Sequence, residues 1–109
     1  EIWCGLTAGG SLVVAPDVFT VPHGADAMVS LPSVLAHTDV PDTVLHCSVG
    51  GEFLTRNCVE RCPPHTRVLN CWGPTECAVV NTYSDVNRSD LDEAIRTIGR
   101  PLFNNAIVV

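Results

Sequence analysis

The chain has 109 residues, of which 46% are hydrophobic and 17% charged, and this length and composition support a single domain with an ordinary apolar core. Its 12 acidic residues outnumber its 6 basic ones and give a formal net charge of -6, which argues against a nucleic acid or an anionic membrane as partner, because no basic patch can neutralise phosphates. No apolar run approaches the roughly 18 residues of a transmembrane helix, so a membrane-spanning segment is not expected.

Apolar runs separated by turn residues predict the elements of the first half of the chain. Strands are predicted at residues 11–15, 27–31 and 43–49, each followed by Pro or Gly. Between the second and third strands, Pro32 begins a short helix that runs to about residue 37, because Pro suits the first helical turn.

The spacing of apolar residues changes at Thr55, where a helix is predicted that ends before Pro63. Its apolar face is formed by Leu54, Cys58, Val59 and Cys62, and its polar face by Arg56, Asn57, Glu60 and Arg61. The pattern therefore indicates a helix that packs one side against the core.

The remaining elements follow the same alternation. Strands are predicted at residues 66–71 and 78–83, with a turn over 72–76, and a last strand begins at residue 106. Ser89 with Asp92 resembles a capping box and predicts a short helix before residue 98. Strands and helices in alternation predict an α/β sheet.

The cysteines raise the question of a disulfide-bonded secreted domain. Cys47 and Cys71 lie inside apolar runs, where a free thiol behaves as a small hydrophobe, so reduced cysteines in a cytosolic protein are the preferred interpretation. The cluster Cys58-x3-Cys62-x2-His65 lacks the spacing of a common zinc site, and no second ligand pair follows it. We therefore interpret these three residues as structural.

Chemically useful groups lie in the turns after two predicted strands, and ligands of open α/β sheets bind beyond the carboxyl ends of strands. Gly50 and Gly51 leave the backbone bare, so a flat ring can lie close to it. In the later turn, Trp72 offers a stacking face, Thr75 a hydroxyl for a phosphate and Glu76 an oxygen ligand for magnesium. Taken alone, this turn is also compatible with a purely structural role.

Residues 70–76, Asn-Cys-Trp-Gly-Pro-Thr-Glu, closely resemble the N-x-Y-G-P-T-E motif of amino-acid adenylation domains of nonribosomal peptide synthetases. Further stretches resemble segments of this family in the family's order: Glu-Ile-Trp-x-x-Leu and Gly-x-Leu-Val-Val within 1–14, Ser-Leu-Pro-Ser at 30–33, Gly-Gly-Glu at 50–52, and Ile-Gly-Arg-Pro-Leu-x-Asn at 98–104. The resemblance places residues 1–109 in the middle of the large N-terminal subdomain of an adenylate-forming enzyme, and implies an incomplete, mostly parallel sheet with flanking helices.

The resemblance also implies an activity. Such an enzyme activates an amino acid with ATP and Mg²⁺, releases pyrophosphate, and transfers the aminoacyl group to the phosphopantetheine thiol of a carrier protein. The implied partners are the peptidyl-carrier and condensation domains of a longer, multimodular chain in the cytoplasm. The N-terminal residues do not have the pattern of a signal peptide, and the sequence does not begin with an initiator methionine. We therefore expect the sequence to be an internal fragment of such a chain.

The roles of individual residues follow from their positions in the family motifs. The residues that would surround the adenine are Gly50, Gly51, Glu52, Asn70, Cys71, Trp72 and Gly73, with Trp72 in place of the family's usual Tyr. Thr75 would contact the α-phosphate and Glu76 would bind magnesium, which makes these two the candidate catalytic residues. The pocket for the amino-acid side chain would be lined by Ser30, Ser48, Gly50, Cys71, Val79 and Val80.

Some features of the family are not found in these 109 residues: the phosphate loop, the ribose-binding aspartate and the catalytic lysine. We therefore expect this chain alone not to catalyse the full reaction. The stretch between Pro16 and Ala27 is also too short for the helix that the family usually has there. Two alternatives remain open, an acyl-CoA ligase type of adenylate-forming enzyme and a non-catalytic nucleotide-binding module; Gly-Gly-Glu at 50–52 and Asn104 favour the peptide-synthetase branch.

Overall fold

The computed structural model describes residues 2–108, and their side chains from Gly5 onward. The helices are α1 (Ile2–Thr7), α2 (Pro32–Leu35), α3 (Arg56–Arg61) and α4 (Leu91–Ala94). The strands are β1 (Ala27–Ser30), β2 (His46–Gly50), β3 (Arg67–Trp72), β4 (Thr82–Asp85) and β5 (Arg100–Pro101), and 3-10 turns lie at Thr75–Cys77 and Arg88–Asp90.

The strands form one open sheet in the order β1-β2-β3-β4-β5. β1, β2 and β3 run parallel, with α2 and α3 in the two crossovers between them. β4 runs antiparallel to both of its neighbours, so β5 points in the same direction as the first three strands. Four of the five strands therefore share one direction, and the predicted α/β fold with a mostly parallel sheet is confirmed.

Alternation along the strands separates two faces of the sheet. One face packs against α2, α3 and α4, and its core consists of Leu35, Cys47, Val49, Leu54, Cys58, Val59, Cys62, Val68 and Leu91. On the other face, Val29, Ser48 and Leu69 lie side by side in register, and Val29 is 54% exposed. The second face is thus much more open to solvent than the first.

Helix α3 shows how closely local sequence sets local structure. The Thr55 hydroxyl accepts a hydrogen bond from the Cys58 backbone N–H at 3.4 Å and caps the first turn. Cys58 and Val59 are buried while Arg56 and Glu60 are exposed, as the spacing predicts. The Cys58 thiol donates to the carbonyl oxygen of Pro32 at 3.1 Å, which joins α3 to α2.

Three strand predictions differ from the structure. Residues 11–15 are irregular and pair with no described strand, so their backbone lacks the partner that a strand requires. Residues 106–108 are irregular too, and residue 109 lies outside the described range. The strand predicted at 78–83 begins only at Thr82, because Ala78 and Val79 adopt positive φ values of 62° and 72°.

The helix predicted from Ser89 begins slightly later and is capped by different residues. The Asn87 side chain accepts a hydrogen bond from the Ser89 N–H, and the Asp90 side chain accepts one from the Glu93 N–H. Ser89 itself therefore lies inside the 3-10 turn that precedes α4. The predicted helix is present, but its N-cap residue is Asp90 rather than Ser89.

The described thiols of Cys47, Cys58, Cys62, Cys71 and Cys77 are all free. Within residues 2–108, no group of three or more His, Cys, Asp or Glu side chains is placed to hold a metal ion. His65, the third member of the cysteine-histidine cluster, instead bonds through its ring Nε2 to the backbone oxygen of Asp42. None of the helices in that range is long and apolar enough to cross a membrane.

Candidate functional site

The motif segments singled out in the sequence meet at one edge of the sheet. β1, β2 and β3 are parallel and end there at Ser30, Gly50 and Trp72. β4 begins at the same edge, since Thr82 pairs with both Trp72 and Pro101. The structure therefore brings together, beyond the carboxyl ends of three strands, the three loops that follow them, and ligands of such sheets bind in this position.

Gly50 ends β2 and Gly51 follows it, and each position requires glycine for a different reason. A Cβ at Gly50 would lie 2.5 Å from the carbonyl oxygen of Cys71 on the neighbouring strand, closer than real Cβ atoms come. Gly51 has a φ of +86°, which side chains rarely permit. The backbone at this edge therefore stays bare, which would let a flat ring approach it.

Glu52 is held by the start of α2. Its two carboxylate oxygens accept hydrogen bonds from the Ser33 backbone N–H at 2.9 Å and the Ser33 hydroxyl at 3.0 Å. The Gly-Gly-Glu and Ser-Leu-Pro-Ser segments are thus fastened to each other. The sequence predicts Glu52 beside the adenine, and the structure adds that its carboxylate anchors the loop that follows β2.

Asn70 is a second anchor, and it is 8% exposed. Its side-chain Nδ2 donates to the carbonyl oxygen of Thr97 at 2.9 Å, so β3 is tied to the residue that directly precedes the Ile-Gly-Arg-Pro segment. Asn70 alternates with Cys71 along β3, and the two side chains therefore leave opposite faces of the sheet. The predicted adenine-site residues Asn70 and Cys71 thus meet different surroundings.

The turn between β3 and β4 carries the candidate catalytic residues. The backbone N–H groups of Cys77 and Val79 both donate to the carbonyl oxygen of Pro74, at 3.1 and 3.2 Å. Thr75 and Glu76 are exposed, and within the described residues neither side chain has a hydrogen bond or an ion pair. Both groups are therefore free to meet a ligand.

These residues fit a magnesium nucleotide. Glu76 supplies one unpaired carboxylate, which suits a cation that takes its other oxygen ligands from phosphate and water. Trp72 is 47% exposed and presents an aromatic surface at the same strand end. Magnesium held by Glu76 would stabilise negative charge on the phosphates.

The predicted pocket residues are only partly brought together. Ser48, Gly50 and Cys71 project from the more open face, since Gly50 pairs with Cys71 and Ser48 lies two residues before Gly50. Ser30 is in register with Val49 on the covered face, and its hydroxyl donates to the adjacent carbonyl of Leu31 at 3.2 Å. The other two predicted residues, exposed Val79 and half-buried Val80, lie in the turn before β4.

The pKa values of two thiols, Cys71 at the site and Cys47 in the core, are raised, which disfavours their reactive thiolate forms. Burial raises the pKa of Cys71, and a hydrogen bond with Ser48 opposes that rise. The pKa of Cys47 on the covered face is raised above its usual range, first by a hydrogen bond with Cys62 and then by burial. These directions agree with packing roles for both cysteines.

The sequence prediction does not identify Asn81 as a site residue. Interpreted as part of a strand over 78–83, Asn81 carries no special role, yet it lies directly between the turn and β4. Asn is depleted in strands and common in turns, and this preference was the available signal.

Comparison with known proteins identifies the family of this chain. The family model for AMP-binding enzymes matches residues 1–109. A protein of the linear gramicidin synthase of Brevibacillus parabrevis is 34% identical over 122 aligned residues and aligns with 100% of this chain, which spans 2% of that protein. Tyrocidine synthase 2 of the same organism is 30% identical over 128 residues, with 95% of this chain and 3% of the synthase covered.

A solved NRPS protein that contains adenylation and PCP domains has a similar fold. Its TM-score is 0.61 at 26% identity, over 72% of this chain and 17% of the solved one. The motif resemblance to peptide-synthetase adenylation domains is confirmed by these similarities. The chain belongs to the family of AMP-binding enzymes, and the relatives named above are nonribosomal peptide synthetases.

Proposed function

We propose that this chain is part of an adenylation domain that activates an amino acid with ATP. The observation that carries the proposal is the pair Thr75 and Glu76, both exposed and without a side-chain partner among the described residues, in the turn that follows the half-exposed Trp72. Since the chain spans only 2–3% of the two synthases described above, the full activity belongs to a longer protein, called here the parent protein.

In the proposed reaction, an oxygen of the amino-acid carboxylate attacks the α-phosphorus of ATP and the bond to the β-phosphate oxygen breaks. The products are the aminoacyl-adenylate and pyrophosphate. The Thr75 hydroxyl would donate a hydrogen bond to an α-phosphate oxygen, and Trp72 would stack on the adenine. Donors and charges positioned where negative charge develops are a large source of rate enhancement.

We further propose that the aminoacyl group passes to the phosphopantetheine thiol of a carrier domain. The supporting observation is the likeness to a solved NRPS protein that contains both adenylation and PCP domains. A condensation domain of the parent protein would be the next partner. The 109 residues alone lack the family's phosphate loop and lysine, so we expect them to be inactive without the rest of the parent protein.

The side-chain pocket would be formed by uncharged residues, with Ser48 and Cys71 on the open face and Val79 in the turn. A charged substrate side chain would lose its hydration there without gaining a partner from this segment. Leaving a buried charge unpaired costs about 3–5 kcal/mol. We therefore expect a neutral or hydroxylated amino acid to be preferred over lysine or glutamate.

The test is amino-acid-dependent exchange of pyrophosphate into ATP by the parent protein, run across the standard amino acids. Glu76→Gln is expected to raise the magnesium concentration needed for half-maximal exchange, with a smaller effect on the KM for the amino acid. The matched control is Glu60→Gln, which removes an exposed carboxylate from α3, away from the turn. Absence of exchange with every amino acid, or an unchanged magnesium requirement in Glu76→Gln, would contradict the proposal.

A further inference from the structure

The turn that carries Thr75 and Glu76 closes on one side chain, that of Asn81. Its Nδ2 donates to the carbonyl oxygen of Cys77 at 3.1 Å, at the end of the 3-10 turn. Its Oδ1 lies against Gly73 at the start of the turn, where a Cβ would be only 2.6 Å away. The Asn81 side chain therefore contacts the segment between β3 and β4 at its first residue, Gly73, and at its middle, Cys77.

The backbone of Asn81 is bonded on both sides as well. Its N–H donates to the carbonyl oxygen of Trp72 at 2.8 Å, and its carbonyl oxygen accepts from the Leu102 N–H at 2.8 Å. The residue thus sits at a junction of β3, the turn, and the segment after β5. A change in its position would move all three.

The segment that Asn81 closes is strained. Ala78 and Val79 have φ values of 62° and 72°, and such a value is a real outlier for the β-branched Val79. Conformations of this kind persist only where the surrounding structure enforces them, and they concentrate at functional sites. Val79 is also one of the predicted pocket residues.

The Asn81 Oδ1 is buried, and among the described residues it has no hydrogen-bond partner. A buried acceptor left unpaired lowers stability, which offsets part of what the hydrogen bond from Nδ2 contributes. The donor on the same amide, which reaches Cys77, gives the side chain a role in shaping the turn.

We propose that Asn81 is a positioning residue that holds Glu76 and Val79 in their reactive geometry by closing the turn from Gly73 to Val80. This inference rests on the proposed function and names a residue that acts through others, since Asn81 itself need not touch the substrates. Loss of its amide would let the strained turn relax and would displace the carboxylate and the pocket wall together.

Two variants of the parent protein test the role of the Asn81 side-chain amide. Asn81→Leu keeps the branch at Cγ but has no donor, and Asn81→Asp keeps the shape but faces the Cys77 carbonyl with an acceptor. Asn57→Leu is the matched control, because Asn57 is exposed on α3. The first measurement is hydrogen exchange at the backbone amides of Cys77 and Val79. The second is the rate of pyrophosphate exchange into ATP at varied magnesium and amino-acid concentrations.

Both Asn81 variants are expected to speed exchange at these amides about fivefold to tenfold, the factor that one net hydrogen bond supplies. The half-saturating magnesium concentration should rise and kcat should fall by a similar factor, while the control stays at wild-type values. Unchanged amide exchange overturns the proposal, as does faster amide exchange with unaltered kinetic constants. If wild type lacks pyrophosphate exchange, the proposed function fails, and the amide comparison still decides whether Asn81 holds the turn.

Discussion

Replacement of Gly50 by alanine tests the close approach of β2 and β3 at the site. The new Cβ would lie 2.5 Å from the Cys71 carbonyl oxygen, 3.3 Å from its carbon and 3.4 Å from the Cys71 Cβ. The oxygen belongs to a paired strand rather than to a flexible side chain, so it cannot move aside alone. The two strand ends must separate.

Overpacking of this kind typically costs about 1–3 kcal/mol, and a clash with paired backbone belongs in the upper part of that range. Since 1.4 kcal/mol is a factor of ten, local opening of the strand ends should become about 30- to 150-fold more frequent. Native-state hydrogen exchange of the β2 and β3 amides in the parent protein measures that frequency directly.

Changes at two other glycines serve for comparison with Gly50→Ala. Gly5→Ala adds the same methyl group, but its Cβ would meet only Leu12 Cδ2, at an ordinary 3.5 Å. Gly51→Asn places a residue that tolerates positive φ at +86°, and it should be milder than Gly51→Ala. Exchange in Gly50→Ala that matches wild type and Gly5→Ala within twofold would refute the steric argument.

Two further predictions concern the aromatic surface and the pH dependence. In the parent protein, Trp72→Tyr should leave the KM for ATP nearly unchanged while Trp72→Ala raises it, because base stacking on an aromatic ring is worth about 1–3 kcal/mol; equal constants for both variants would exclude stacking. The Arg67 guanidinium, which donates two 2.6 Å hydrogen bonds, holds the pKa of Asp85 below its usual range. A lowered folded-state pKa means stability that is present above about pH 4 and is lost as the pH falls through that lowered value. Asp85→Asn should therefore flatten the acid limb of the melting-temperature profile slightly, since both groups are half exposed; identical limbs for wild type and Asp85→Asn would count against the pair.

The local parts of the fold are predictable from sequence because they depend on neighbours in the chain. The spacing of Leu54, Cys58 and Val59 is sufficient to predict α3 and its buried face. The run at residues 11–15 has the composition of a strand, but none of the described strands pairs with it. Strand formation depends on a partner that composition does not supply, so this prediction is wrong for a non-local reason.

In the candidate site, too, the features set by local sequence are predictable and those set by distant partners are not. Gly50, Trp72 and Glu76 are predicted at the carboxyl ends of strands because parallel strands end at one edge. The partners of Glu52 and Asn70 are 19 and 27 residues away, and only the folded chain brings them into contact. The positive φ of Val79 is likewise imposed by the turn, because valine itself disfavours it.

The five described thiols differ in exposure, so their alkylation can report which part of the protein opens. Cys77 is exposed, Cys71 is half-buried, and Cys47, Cys58 and Cys62 are buried. An alkylating reagent attacks the thiolate, so both burial and a raised pKa delay Cys71 relative to Cys77. The three buried thiols should react only when the core opens. Cys77 therefore serves as the reference for the folded surface, Cys71 reports separation of the sheet edge, and the three buried thiols report opening of the core, without any engineered label.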